Sequence, residues 1–194
     1  MLDTYLIYVE KEVEMMKKNI DHRVVVTEKW IKKAFIDLLM VKPIYCIKVK
    51  EVCENAGINR GTFYLHYKDI YDLLDKLKDE LLEGFNQTLM EQIKHNEITL
   101  STIEHIFHYF KENRDFCIVI LGEHGNTKIL TEFLEIGKKK YKETYSQEYN
   151  EFMDYQYQFI SAGCLGVLKQ WLFDENQISE EEIAKIVYRL INGK

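Results

Sequence analysis

The chain has 194 residues, 46% hydrophobic and 30% charged, with a formal net charge of −6, a balance that suits a globular protein with one core or with a small domain joined to a larger one. A single proline and nine glycines are too few breakers for an all-β or loop-rich chain, and the apolar runs fall well short of the roughly 20 residues that a membrane span needs. The N-terminus lacks the basic region and long apolar core of a secretion signal, so the expected compartment is the cytoplasm and no membrane partner is expected.

The four cysteines (Cys46, Cys53, Cys117, Cys164) are scattered and read as reduced, small apolar residues. Charge is distributed unevenly. Between His22 and Lys68 stand nine bases (Arg23, Lys29, Lys32, Lys33, Lys42, Lys48, Lys50, Arg60, Lys68) against four acids (Glu28, Asp37, Glu51, Glu54), a segment charge of +5 that leaves −11 for the rest. A small basic module on an acidic body is what a protein needs if one end is to approach phosphates.

Residues 1–21 form a weakly amphipathic N-terminal extension. Thr27 is placed to cap a helix whose apolar residues Ile31, Ala34, Phe35, Leu38 and Leu39 recur at helical spacing. Pro43 and an extended IYCIKV run end it. A short helix follows with Val49, Val52, Cys53 and Ala56 on one face, and Gly57 supplies the left-handed residue of a tight turn. Asn59 caps a second short helix that carries Phe63 and Tyr64 inward. Asp69 opens a long helix to about residue 95, with Asp72 in its first turn. Further helices are expected at about 99–113, 115–122, 127–147, 151–174 and 180–192, the last announced by the capping-box spacing of Ser179 and Glu182. No segment shows strand alternation, so the fold class is all-α.

Two short helices joined by a Gly-containing turn, with a third packed behind, make a helix-turn-helix, here over 48–67. Its core is Ile31, Phe35, Val49, Val52, Ala56, Ile58 and Phe63, which leaves Asn59, Arg60, Gly61, Thr62, Leu65 and His66 facing outward. Arg60 has the geometry for a bidentate contact to guanine, Gly61 lets the backbone come close, and Thr62, Tyr64, His66 and Tyr67 carry groups that bond phosphate oxygens.

The run ENAGINRGTFYLHYKDIYDLL resembles the DNA-reading segment of the TetR/AcrR family: Ala56, Gly57, Ile58, Asn59, Gly61, Thr62, Phe63, Tyr64, His66 and Tyr67 all fit its pattern. Two positions depart from it. Lys48 stands where the family has threonine, and Ile70 where it has lysine; Lys48 offers a charged phosphate contact instead, and Lys68 stands in for the missing lysine. The DNA-binding set is therefore Thr27, Lys48, Asn59, Arg60, Gly61, Thr62, Tyr64, His66, Tyr67 and Lys68.

The resemblance implies a DNA-binding domain over 22–84 and a ligand-sensing, dimerising helical domain over 85–194. The latter is loosely similar to regulators of dihydroxyacetone-kinase operons. Along the FISAGCLGVLKQW segment, Phe159, Ala162, Gly163, Gly166, Val167 and Gln170 share a stripe whose small residues admit another helix closely. With Ile183, Ile186, Val187 and Leu190 of the last helix they form the expected dimer interface. Phe107, Phe110, Phe116, Phe133, Tyr141 and Tyr155 are the candidate lining of a ligand pocket. His105 and His108 stand a turn apart, with Cys117 and His124 following, but no third ligand shares their face, so no metal site is expected, and no cofactor.

The expected function is a ligand-responsive, homodimeric repressor whose partners are an operator in double-stranded DNA, a second copy of itself and an unidentified small-molecule inducer. The chain carries none of the motifs G-x-S-x-G, G-x-x-x-x-G-K-[ST], H-E-x-x-H or G-x-G-x-x-G, so an enzyme is not expected.

Overall fold

The computed structural model describes residues 23–92, 98–122, 127–146, 149–175 and 178–193; the expected extension over 1–21 lies outside them. Among the described residues every regular element is helical. The chain divides into two compact units, Met1–Leu74 and Asp75–Lys194.

In the first unit, helix α1 covers 23–39 and turns Ile31, Ala34 and Phe35 into the core. Thr27 is not its cap. The helix has already begun by residue 23, and the Thr27 hydroxyl donates back to the Arg23 carbonyl at 2.8 Å, the usual outlet for a threonine inside a helix. Trp30 lies on the outer face, 55% exposed. Beyond Pro43 the expected extended run gives way to a 3-10 turn, Ile44–Cys46, closed by the N–H groups of Cys46 and Ile47 donating to the Pro43 and Ile44 carbonyls.

Helix α2 (Val49–Ala56) starts at Lys48, whose side chain holds no acceptor for the first-turn amides. Glu51 supplies the other half of a capping box, accepting the Lys48 N–H at 2.9 Å and the Lys42 ammonium at 2.5 Å. Those two bonds, Lys42 first, hold the Glu51 carboxyl below its ordinary range. Gly57 ends α2 at φ 67°, ψ 31°. The Ile58 N–H reaches the Cys53 carbonyl and the Gly57 N–H that of Glu54, the paired bonds of a Schellman motif.

Asn59 then caps α3 (Arg60–His66), its Oδ1 accepting from the Thr62 N–H at 2.8 Å. Helix α4 (Ile70–Gln92) is capped by Asp69, which accepts from the N–H groups of Tyr71 and Asp72, while Asp72 accepts the Lys68 N–H at 2.9 Å. Ile70 is buried, and with Val52, Phe63, Tyr67 and Leu73 it completes the core of this unit. The departure from the family's lysine is thus a packing residue.

The second unit continues α4 with Leu77, Leu81, Phe85 and Leu89 buried at i, i+4 intervals. There follow α5 (Leu100–Glu112), α6 (Arg114–Leu121), α7 (Thr127–Thr144), α8 (Glu151–Phe173) and α9 (Glu180–Asn192). Helix α5 packs on α9, and α8 packs on α6, α7 and α9. Phe85, Phe110 and Phe133 form an aromatic cluster with ring centroids 5.1 to 5.5 Å apart, and Phe107 meets Trp171 edge-on at 5.3 Å.

The Trp171 indole is buried and donates to the Ile178 carbonyl at 2.9 Å. Ser179 and Glu182 make the predicted capping box. Glu180 ties α9 to α5 through Lys111 at 2.8 Å and His108 at 3.0 Å. No helix among the described residues is long and apolar enough to cross a membrane.

Candidate nucleic-acid interface

A seven-residue helix cannot hold itself together in water, so α3 depends on its cap and on one buried side chain. Asn59 satisfies the first turn, and Phe63, fully buried like Val52 and Cys53, anchors the inner face. Losing the Phe63 ring costs about 3–5 kcal/mol on the scale of aromatic-to-alanine core changes. With the inner face pinned, helical geometry turns Arg60, Gly61, Tyr64 and Leu65 outward. Tyr64 is 56% exposed and Leu65 84%, and Arg60 is exposed with no ion-pair partner among the described residues. Lys48 and Lys68, at the starts of α2 and α4, are exposed as well.

The expected reading edge divides. Asn59, Arg60, Gly61 and Tyr64 are exposed with Lys48 and Lys68; Thr62 is half-buried, its N–H and hydroxyl both on the Asn59 side chain. Tyr64, expected both to pack its ring inward and to offer its hydroxyl to phosphate, points out with its ring set edge-on to Phe63 at 5.6 Å. His66 was expected outward and turns in: its side chain is only 10% exposed, and Nδ1 lies 3.1 Å from Glu28 Oε1 on α1. Tyr67 closes α3 with its ring in the core beside Phe63 and His66. Thr27 is half-buried on α1 and spends its hydroxyl on Arg23. Leu65 is the exposed apolar side chain that could meet a thymine methyl. The sequence pattern sets it outward, but an apolar side chain carries no polar signal that would mark it as a DNA contact.

In the second unit the expected interface stripe is also split. Phe159 is 82% exposed, Ala162, Gly163, Gly166 and Gln170 are exposed beside it, and Val167 is half-buried. On α9, Ile186 and Leu190 are exposed, but Ile183 and Val187 are buried because that face packs on α5. Phe152 and Tyr155 extend the exposed stripe of α8 toward its N-terminus.

The expected pocket residues are mostly core. Phe107, Phe110, Phe116 and Tyr141 are buried, and Phe110 and Phe133 border an apolar void of about 30 Å³ with Cys117 and Leu168. Tyr155 is exposed and lines neither void nor groove. A larger, open groove of about 570 Å³ runs between α4 and α7, lined by Leu82, Met90 and Ile136 together with Asp79, Glu83, Lys139 and Lys140.

His105 bonds the Ser101 carbonyl and His108 the Glu180 carboxylate, while Cys117 is buried with its thiol pushed up to about 12 by desolvation. No group of three candidate metal ligands comes together among the described residues; His124 lies outside them.

Comparison with known proteins bears on both units. The family model TetR_C_8, a transcriptional regulator C-terminal region, matches residues 97–193, half of the chain. An uncharacterized HTH-type transcriptional regulator of Bacillus subtilis, YxbF, is 28% identical over 101 residues, which span 49% of this chain and only 26% of that relative.

Among solved structures, the fold resembles the dihydroxyacetone kinase operon activator DhaS (TM-score 0.61, 18% identity, 87% of this chain and 96% of that one). It also resembles the transcriptional regulator FadR of Bacillus subtilis in complex with stearoyl-CoA (TM-score 0.63, 20% identity, 84% and 96%). At those identities the likeness is one of fold.

Proposed function

The chain belongs to the TetR family of transcriptional regulators, and from that premise we propose that it works as a ligand-responsive homodimer that reads two half-sites of an operator and represses the adjacent promoter. The observation that carries this reading is α3: a short, capped helix with a closed inner face that leaves Arg60, Gly61, Tyr64 and Leu65 free for base edges and phosphates. Lys48, Asn59 and Lys68 extend the same edge toward the DNA backbone. The basic balance of residues 22–68 supplies the salt-dependent part of the affinity.

Dimerisation is supported by the exposed apolar stripe of α8 with Ile186 and Leu190 of α9, since an aromatic row beside exposed small residues is a surface that a second copy covers well. We assign DNA reading to the unit ending at Leu74, and ligand sensing and pairing to Asp75–Lys194. The groove between α4 and α7, lined by apolar and charged residues, and the void at Phe110 and Phe133 are where an inducer with apolar parts would be admitted. A fold relative bound to stearoyl-CoA fits that chemistry. By this reading the ligand acts through unequal affinity for two states of the dimer.

A gel-shift titration of DNA from upstream of the protein's own operon tests the proposal. Specific binding that weakens with salt and is lost in Arg60→Ala and Tyr64→Ala supports it. A dimer that prefers no fragment over random DNA sinks it. A promoter fusion, silenced or stimulated by the protein, separates repression from the activation named for the DhaS relative.

A further inference from the structure

Helix α3 is held from one side only. Phe63 is buried on its inner face, and the polar side chains nearest that face are spent within the fold: Thr62 gives its N–H and hydroxyl to the Asn59 side chain, and His66 meets Glu28 at 3.1 Å. At about 100° per residue, Arg60 and Tyr64 fall about 60° and 100° round the helix from Phe63, on one flank. Gly61 and Leu65 fall at about 160° and 200°, on either side of the line opposite that anchor. The outermost line of α3 therefore carries a glycine and, one turn later, a leucine, with no polar side chain between them.

Leu65 is 84% exposed, more than any other large hydrophobic side chain among the described residues. A Cβ at Gly61 would meet only Oδ1 of Asn59, at 3.1 Å, so the outer side of the backbone is open there. Arginine reaches a base edge from a distance, but leucine is short and touches one only where the helix itself comes close. Gly61 permits that approach. The base edges of the major groove are hydrogen-bonding groups with one exception, the C5-methyl of thymine. An apolar side chain there gains by covering a methyl and loses by covering a donor or acceptor that it cannot pair.

On the function proposed above, we infer that Leu65 specifies a thymine in each half-site by packing on its C5-methyl, with Gly61 setting the depth at which it does so. Arg60, on the flank, reads a different base pair by hydrogen bonds. The contact is to a methyl group and not to a whole base, so 5-methylcytosine satisfies it as well.

The test titrates the full-length protein and Leu65→Ala against the operator footprinted in the upstream fragment, at a salt concentration where both bind. Single thymines are replaced by deoxyuridine, which keeps every hydrogen-bonding group of thymidine and lacks only the methyl. At one thymine position per half-site, uracil is expected to weaken the parent about four-fold, the effect of one methyl group removed from water, and to leave Leu65→Ala unaffected. Leu65→Ala itself binds the thymine operator more weakly, with the parent's thermal unfolding midpoint because the side chain is exposed. Where that base pair is changed to cytosine–guanine, methylating C5 of the cytosine is expected to recover about the same factor in the parent and nothing in the variant. Removing a methyl also alters how readily DNA deforms, but that effect falls on both proteins alike. Specific binding in which no single uracil matters, or in which uracil weakens the parent and Leu65→Ala equally, overturns the inference and leaves the functional reading standing. A parent with no specific binding overturns both.

Discussion

The imidazole Nδ1 of His66, in the last turn of α3, lies 3.1 Å from Oε1 of Glu28 on α1. A residue that the sequence pattern sets on the DNA-facing edge instead ties the reading helix to the helix behind it. Glu28→Ala is expected to lower stability by about 1 kcal/mol, the net value of one such bond, while Glu28→Gln, which keeps an acceptor, retains most of it. Urea unfolding of both variants checks this. No loss in Glu28→Ala would show that the bond contributes nothing of its own.

Gly57 ends α2 at φ 67° with nothing within 4 Å of a would-be Cβ. The cost of a side chain there is therefore conformational rather than steric. Gly57→Ala should destabilise by about 1–2 kcal/mol, and Gly57→Asn by less, since asparagine tolerates the left-handed region. Thermal unfolding of the two variants side by side gives the order.

Glu180 is held below its ordinary pKa of 4.5 first by the Lys111 bond and then by His108, against the opposing effect of burial. Because the folded carboxyl binds its proton less tightly than the unfolded one, its contribution is fully present above about pH 4.5 and is lost as pH falls through the lowered value. Glu180→Gln should therefore be less stable than the parent at neutral pH, with the two curves converging on acidification. Guanidinium titrations at a series of pH values would expose a constant gap if this were wrong.

Phe159→Glu places a charge on the exposed stripe of α8 and should give a folded monomer in sedimentation, with helix content unchanged and binding to a two-half-site fragment strongly reduced. Val187→Ala, on the buried face of α9, should instead lower the stability of each protomer and leave the association intact. A Phe159→Glu protein that remains dimeric would move the interface elsewhere.

Much of this molecule is legible in its sequence, because its helices are punctuated by residues with a single local meaning. Asn59, Asp69 and Ser179 cap where expected, Gly57 turns where expected, and apolar spacing places Ile31, Phe35, Val52 and Phe63 inside. What could not be read depends on which neighbour a face meets. Thr27 failed as a cap because the helix starts upstream of it. His66 turned inward because Glu28 offers it a partner that no local pattern announces. Ile183 and Val187 share a helix with Ile186 and Leu190, and only the position of α5 decides which pair is covered. Gly84 and Gly137, whose missing side chains leave room for the phenols of Tyr109 and Tyr157, have no signal in the chain, since those phenols arrive from 25 and 20 residues away.

The chain's two tryptophans are divided between the units, Trp30 on the outer face of α1 and Trp171 buried against Phe107. The protein thus carries a native optical label on each half. Trp30 should emit at long wavelength and be quenched by iodide, and Trp171 should emit at short wavelength and be shielded from it. On the proposed function, DNA bound by the first unit and a ligand taken up by the second can then be followed in the same cuvette by colour, without attaching a dye.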